Sequence, residues 1–237
     1  MKSRIYKIED IGDIEVCKHH SSKRITIKVR HGALPRVVIP ELMAYNSGYR
    51  FAVEKKQWIS ETLKKVKQSE FSTIFDESTL FKSRFHTVII KRQDVNKVKA
   101  QKKNDIVSIL IPEKCDINKD VIQTSIKKII IEVLRFEAKS YLPERVKKLA
   151  EQYGFKYNKV YIKNLKSKWG SCSYQNNINL NLHLMKMPEY LSDFIILHEL
   201  CHTVFKNHGK QFHELFNKLT GNEKLLNKEL KKYNTTL

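Results

Sequence analysis

Residues 188–208 read Pro188-Glu-Tyr-Leu-Ser-Asp-Phe-Ile-Ile-Leu-His198-Glu199-Leu-Cys-His202-Thr-Val-Phe-Lys-Asn-His208. Pro188 suits the first position of a helix, where its missing N–H costs nothing, and Glu189 suits the positive end of the helix dipole. Leu191, Phe194, Ile195, His198, Cys201, His202 and Phe205 recur at steps of three and four, so they share one helix face. Two histidines one turn apart therefore interrupt an apolar stripe, and both rings can reach one point in space. Burying two imidazoles there without a partner would be costly.

A zinc ion answers that cost. Neutral imidazole is a good zinc ligand, and His198, Glu199 and His202 match His-Glu-x-x-His. Glu199 stands about 100° around the helix from His198, placed to touch a water beside the metal rather than the metal itself. Its carboxylate would take the proton of that water as it attacks a carbonyl. A catalytic zinc needs a third protein ligand and an open position. His208 is the favoured third ligand, because Asn207 and Gly209 both tolerate the left-handed conformation that ends a helix and turns the chain. His213 and Glu214 stay open as alternatives, on a following helix with Phe212, Leu215, Phe216 and Leu219 as its apolar face. The spacing of the three histidines is that of the metzincins. Yet Phe205 stands where those have a turn glycine, and no methionine follows Met187.

The chain has 237 residues, a hydrophobic share of 41% and a net charge of +20. That length holds one large domain or two small ones with ample core. The excess of Lys and Arg over Asp and Glu favours a polyanionic partner such as DNA, set against a solvated basic surface with no partner. Cys17, Cys115, Cys172 and Cys201 are widely spaced with no C-x-x-C, a pattern that suggests neither a disulfide framework nor a zinc ribbon. No signal-peptide core follows the N-terminus and no apolar run approaches the ~18 residues of a membrane span. A cytoplasmic protein with no membrane contact is expected.

Working outward, residues 24–30 and 36–40 alternate as strands around a turn at 31–35. Cys17, His19 and His20 before them read as surface residues. Residues 50–68 read as one helix and 69–82 as a loop. Strands are expected at 85–91 and 105–111 with a polar connection at 93–104. A boundary at 112–119 divides a β-rich N-terminal domain with one helix, 1–112, from a catalytic domain, 113–237. A helix at 118–141 is expected to break or kink at Pro143 and resume at 144–153, ending at Gly154. Strands return at 159–163 and 178–184. The second is expected to take an extended substrate as an added strand, with His183 on the surface or near the metal. Trp169-Gly170 marks a place where backbone passes close by. Residues 222–233 read as a short basic helix. The fold class is α+β.

The blocks Lys168-Trp169-Gly170-Ser171-Cys172-Ser173, Ile178-x-Leu180-Asn181, Pro188, His198-Glu199-Leu200-x-His202 and Asn207-His208-x-x-x-Phe212 occur in one order. Together they resemble the YgjP-like metallopeptidase family, and Pro40 and Trp58-Ile59 extend the likeness to the N-terminal part. The family is related to the SprT-like and WLM zinc peptidases, which are α+β zincins. The resemblance implies a β-rich N-terminal region packed on a compact zincin domain, with one zinc ion on His198, His202 and His208 and Glu199 as catalytic base. It implies a protein or peptide substrate. SprT-like relatives that digest proteins crosslinked to DNA extend the analogy to nucleic-acid-associated substrates. Lys168 replaces the family's usual Arg, Leu182-His183 its Trp-Arg pair and His213 its Trp. The competing reading is a basic nucleic-acid-binding module whose zinc is structural or vestigial. Tyr190 and His213 are the candidate oxyanion donors.

Overall fold

Strand β1 (Ser3–Ile8) pairs antiparallel with β2 (Gly12–His19) across a tight turn where Asp10 and Gly12 both take positive φ. The computed structural model describes residues 3–29, 33–68 and 73–237. Its contacts divide the chain into two compact units, Met1–Thr73 and Ile74–Leu237. In the first unit β3 (Thr26–Lys28) runs antiparallel to β4 (Arg36–Pro40), giving the sheet order β1-β2-β4-β3. The hairpin read from the alternating residues is present, while His31 and Gly32 of its turn lie outside the described residues.

Ile14, Val16, Val37 and Ile39 are fully buried on one face of this sheet, beside Ala52 of α1 (Tyr45–Glu54) and Ile59 of α2 (Lys56–Gln68). These two helices replace the single one expected at 50–68, with Lys55 leaving helical geometry between them. Cys17 is wholly buried, not on the surface, because it follows Val16 into the parallel pairing with β4. Gly48 sets the approach of α1 to the sheet. A Cβ there would meet Val16 Cγ1 at 2.7 Å and Ile39 Cγ2 at 2.8 Å. Both are fully buried, so they have little room to yield. Gly48→Ala is expected to destabilise this unit by about 1–3 kcal/mol, read as a lower midpoint in urea denaturation.

In the second unit β5 (Phe81–Lys82), β6 (Thr87–Gln93), β7 (Lys99–Lys103) and β8 (Ile106–Pro112) form a sheet of order β5-β6-β8-β7, with β6 and β8 parallel. Strand β7, Lys-Ala-Gln-Lys-Lys, lies in the stretch read as a polar connection. Every one of its residues is exposed at the sheet edge, so it carries no apolar alternation to betray it. Val88, Ile90, Val107, Ile109 and Ile111 pack into the same core as the long helix α3 (Asp120–Tyr153). This shared burial ties β5–β8 to α3, and the units therefore divide at 73/74, well before the change of period at 112–119.

Helix α3 runs 34 residues without interruption through Pro143 and stops at left-handed Gly154. The expected break does not occur. Ile126, Ile130, Leu134, Ala138, Leu142, Val146 and Ala150 form an unbroken i, i+4 ridge, all buried. Its burial on both sides of Pro143 outweighs one lost backbone hydrogen bond. Just past the proline, Arg145 forks onto Asp193, with Nε 2.7 Å from Oδ1 and Nη2 2.5 Å from Oδ2. Nη2 also lies 3.0 Å from Glu189 Oε1. Tyr141 donates to Glu189 Oε2 at 2.6 Å, and Arg84 donates to Met187 O and Ser192 Oγ at 3.0 and 2.8 Å. These bonds clamp the start of the helix that carries His198 and His202.

A second small sheet comes next in the chain: β9 (Val160–Lys163), β10 (Gly170–Cys172) and β11 (Ile178–Asn181), in the order β10-β11-β9. After Asn181 the chain coils into a 3-10 turn, Leu182–Lys186, so the strand expected to reach 184 ends early. Then come α4 (Glu189–Val204), α5 (Lys210–Thr220) and α6 (Glu223–Leu230). Pro188 caps α4 with extended geometry instead of opening its first turn. Six helices and three mixed sheets make an α+β protein among the described residues.

Candidate metal centre

Helix α4 places His198 and His202 one turn apart, and their Nε2 atoms are 3.2 Å from each other. The Nε2 of His208 lies 3.1 Å from both. The bend that returns His208 does not use a left-handed residue at Asn207 or Gly209. Phe205 leaves the helix with extended geometry, φ −114° and ψ 108°, and Gly209 is extended too. An extended exit needs no glycine, which accounts for Phe205 at that position.

His202 Nδ1 lies 2.9 Å from Phe205 O and donates to it. That bond puts the ring proton on Nδ1 and leaves the Nε2 lone pair facing the other two nitrogens. Burial, then the neighbouring His202 and His208, pushes His198 down to about 4, so it is neutral at physiological pH. His202 is lowered as well, chiefly by burial. Three inward-facing imidazole nitrogens cannot all satisfy one another, since each neutral ring has one proton. A tetrahedral ion bound at 2.0–2.1 Å would hold its ligand nitrogens about 3.3–3.4 Å apart. The observed triangle is close to that, and the residues fit the group. Among the described residues no fourth His, Cys, Asp or Glu joins the cluster.

Phe212 of α5 lies against all three rings, with centroids 5.0, 4.7 and 4.8 Å from His198, His202 and His208, and it is fully buried. The sequence marks it as a core position and as the end of the Asn207-His208-x-x-x-Phe212 block; its register under the cluster comes from how α5 docks on α4. Phe212→Ala is expected to lower zinc affinity about 10–100-fold by freeing ring orientation, measured by competition with a chromogenic chelator.

Glu199 is 5% exposed, and its Oε2 is buried with no hydrogen-bond partner. Burial pushes this carboxyl up to about 8, while the Lys168 charge and the Cys172 backbone N–H pull the other way. A cation beside it would also act downward. Gly170 of β10 lies against it: a Cβ there would be 2.7 Å from Glu199 Oε1. The close approach marked by Trp169-Gly170 is thus to the carboxylate. Asn181 fixes the loop before β10, donating from Nδ2 to Leu165 O at 2.7 Å and Lys168 O at 2.9 Å. Its backbone N–H donates to Trp169 O at 2.8 Å.

Other expected residues fall elsewhere. His213 Nδ1 is 3.0 Å from Glu223 Oε2, and Glu214 is exposed with Lys210 3.7 Å away. Neither belongs to the triangle. Tyr190 donates to Glu229 Oε2 at 2.8 Å and is tied to α6. His183 is buried, not on the surface, with Nε2 3.2 Å from Asn164 Oδ1. The 3-10 turn carries it inward, and burial, with Lys186, pushes it down to about 4. Strand β11 has neighbours on both sides and cannot accept an added strand. The outer strand beside Glu199 is β10.

The YgjP-like metallopeptidase domain family matches residues 23–233, nearly the whole chain. The chain belongs to that family. No curated protein matches it. Among solved structures it is similar to the crystal structure of the metallopeptidase zymogen of Pyrococcus abyssi abylysin. The two share 20% identity over 43% of this chain and 93% of that one, with a TM-score of 0.34. As a YgjP-like metallopeptidase the chain is a metal-dependent hydrolase of peptide bonds, acting on protein or peptide. Among the described residues no helix is long and apolar enough to cross a membrane.

Proposed function

We propose that this YgjP-like protein is a zinc endopeptidase in which His198, His202 and His208 hold one ion and Glu199 is the catalytic base. The observation that carries the reading is a triangle of Nε2 atoms beside a buried carboxylate with an unpartnered oxygen. Bound there, zinc would polarise the scissile carbonyl and lower the pKa of water. Glu199 takes the proton of the attacking water on a carboxylate oxygen and passes it to the leaving amine. Gly170 and the Cys172 N–H fix that carboxylate. The outer edge of β10, apart from the Cys172 N–H that Glu199 holds, offers its backbone groups to an extended peptide, which adds as a fourth strand and sets its carbonyl beside Glu199.

A purely structural zinc is disfavoured. Such sites are closed by four ligands, whereas this cluster has three and His208 is exposed. A buried glutamate beside the ligands would also have no task there. The charge of +20 supports the further reading that its substrates are proteins associated with nucleic acid. Stripping the metal with a chelator is expected to abolish cleavage of a mixed protein pool, and one equivalent of zinc to restore it. Full activity in demonstrably metal-free protein would overturn the proposal.

A further inference from the structure

Between Glu151 and Glu189 the chain has no Asp or Glu and six lysines: Lys156, Lys159, Lys163, Lys166, Lys168 and Lys186. This stretch makes the whole β10-β11-β9 sheet. Ile178 and Leu180 bury one face of that sheet. On the other, Ser171, Asn179 and Tyr161 stand in one cross-strand row. Tyr161 is 45% exposed and Tyr174, in the turn between β10 and β11, is 89% exposed. Each ring carries an ammonium: Lys163 Nζ is 5.9 Å from the Tyr161 centroid and Lys206 Nζ is 5.8 Å from that of Tyr174. Lys206 reaches the turn from beyond α4, donating to Ser173 O at 3.3 Å and to Asn176 Oδ1. Asn158 N–H donates to Asn176 O at 2.9 Å, which joins the turn to the start of β9. That bond links the two stations of a stripe, Tyr174 with Lys206 at the turn and Lys159, Tyr161 and Lys163 at β9. Among the described residues no acid pairs with Lys159, Lys163 or Lys206.

We infer that this stripe is a docking surface for single-stranded nucleic acid. The two exposed tyrosines supply flat faces for unpaired bases, and the lysines beside them meet the phosphates. A duplex hides its base faces and has no use for the rings. An acidic peptide would be held by the lysines alone, leaving two large aromatic side chains in water without a role. The surface stands on its own charge and rings. Only its consequence, cleavage of proteins held on nucleic acid, rests on the peptidase reading.

The test is anisotropy of a fluorescent oligothymidylate titrated with the full chain at low salt. Binding is expected, with a log–log salt slope of about −2 for three phosphates, given about −0.7 for each. Tyr161→Ala and Tyr174→Ala should each weaken it about tenfold, while metal content and cleavage of a short peptide stay at the wild-type level. The variant K159Q/K163Q/K206Q should lose most binding, and K99Q/K102Q/K103Q, which removes equal charge from β7, should keep it. Duplex DNA and polyglutamate should compete at least tenfold more weakly than the single strand. Absence of binding, equal loss in both lysine variants, intact binding in the tyrosine variants, or equal competition by duplex or polyglutamate would each overturn the inference. Glu199→Gln should bind the oligonucleotide normally, so failure of the peptidase reading and failure of this one are read separately.

Discussion

Glu199→Gln is expected to keep one zinc per chain and to lower cleavage by about 10²–10⁴-fold, the usual share of a general base. Glutamine preserves the length and the buried volume but takes no proton. The three imidazoles that would hold the ion are untouched by the change. Metal content and turnover of one protein substrate, measured on the same preparation, decide it: wild-type turnover in the variant would remove Glu199 from the mechanism. The substitution has a second, opposite expectation in metal-free protein. Burial raises the folded carboxyl to about 8, against an unfolded value of about 4.3. A group raised on folding contributes stability that is present below the unfolded pKa and is lost as pH rises through the folded one. Wild-type apoprotein should therefore lose stability between roughly pH 4.5 and 8 relative to the Gln variant. At pH 9 the variant should melt higher, by about 5–10 °C for a few kcal/mol in a chain of this size. Thermal scans in chelator across that pH range test the sign.

Gly170→Ala is expected to leave the protein folded and zinc-loaded while cutting turnover about 100-fold. An added Cβ would lie 2.7, 2.8 and 3.0 Å from Oε1, Cγ and Cδ of Glu199. The Glu199 side chain can rotate away more cheaply than β10 can leave its pairing with β11. Stability should then fall by only about 1 kcal/mol, and the strain appears in the position of the carboxylate. A displacement near 1 Å at a reacting group costs about 10²-fold. Ser171→Ala, one residue on and facing away from the core, is the control and should change neither quantity. Equal turnover in Gly170→Ala and wild type would show that this contact does not position the base.

The cluster is legible from sequence where its geometry is local. His198 and His202 meet because residues four apart stack on any helix, whatever surrounds it. Glu199 faces aside for the same reason. His208 is legible as a partner by its distance along the chain, but the form of the bend is not. The sequence points to left-handed Asn207 or Gly209, whereas Phe205 simply leaves the helix extended. Strand β7 is invisible because an edge strand exposed on both faces has no apolar period. Pro143 reads as a break because local propensity disfavours it, and the buried ridge from Ile126 to Ala150 overrides that preference.

The sequence by itself determined the pairing of His198 with His202 on one helix face, the sideways placement of Glu199, the acid-free lysine-rich stretch and the α+β class, since these come from spacing and composition. Only the tertiary structure decided which strand is outermost. Pairing with β9 on one side and β10 on the other makes β11 internal and leaves β10 as the edge beside Glu199. Likewise only packing put Phe212 under three rings and Gly170 against a carboxylate. Those placements depend on contacts between segments far apart in the chain, and no local period encodes them.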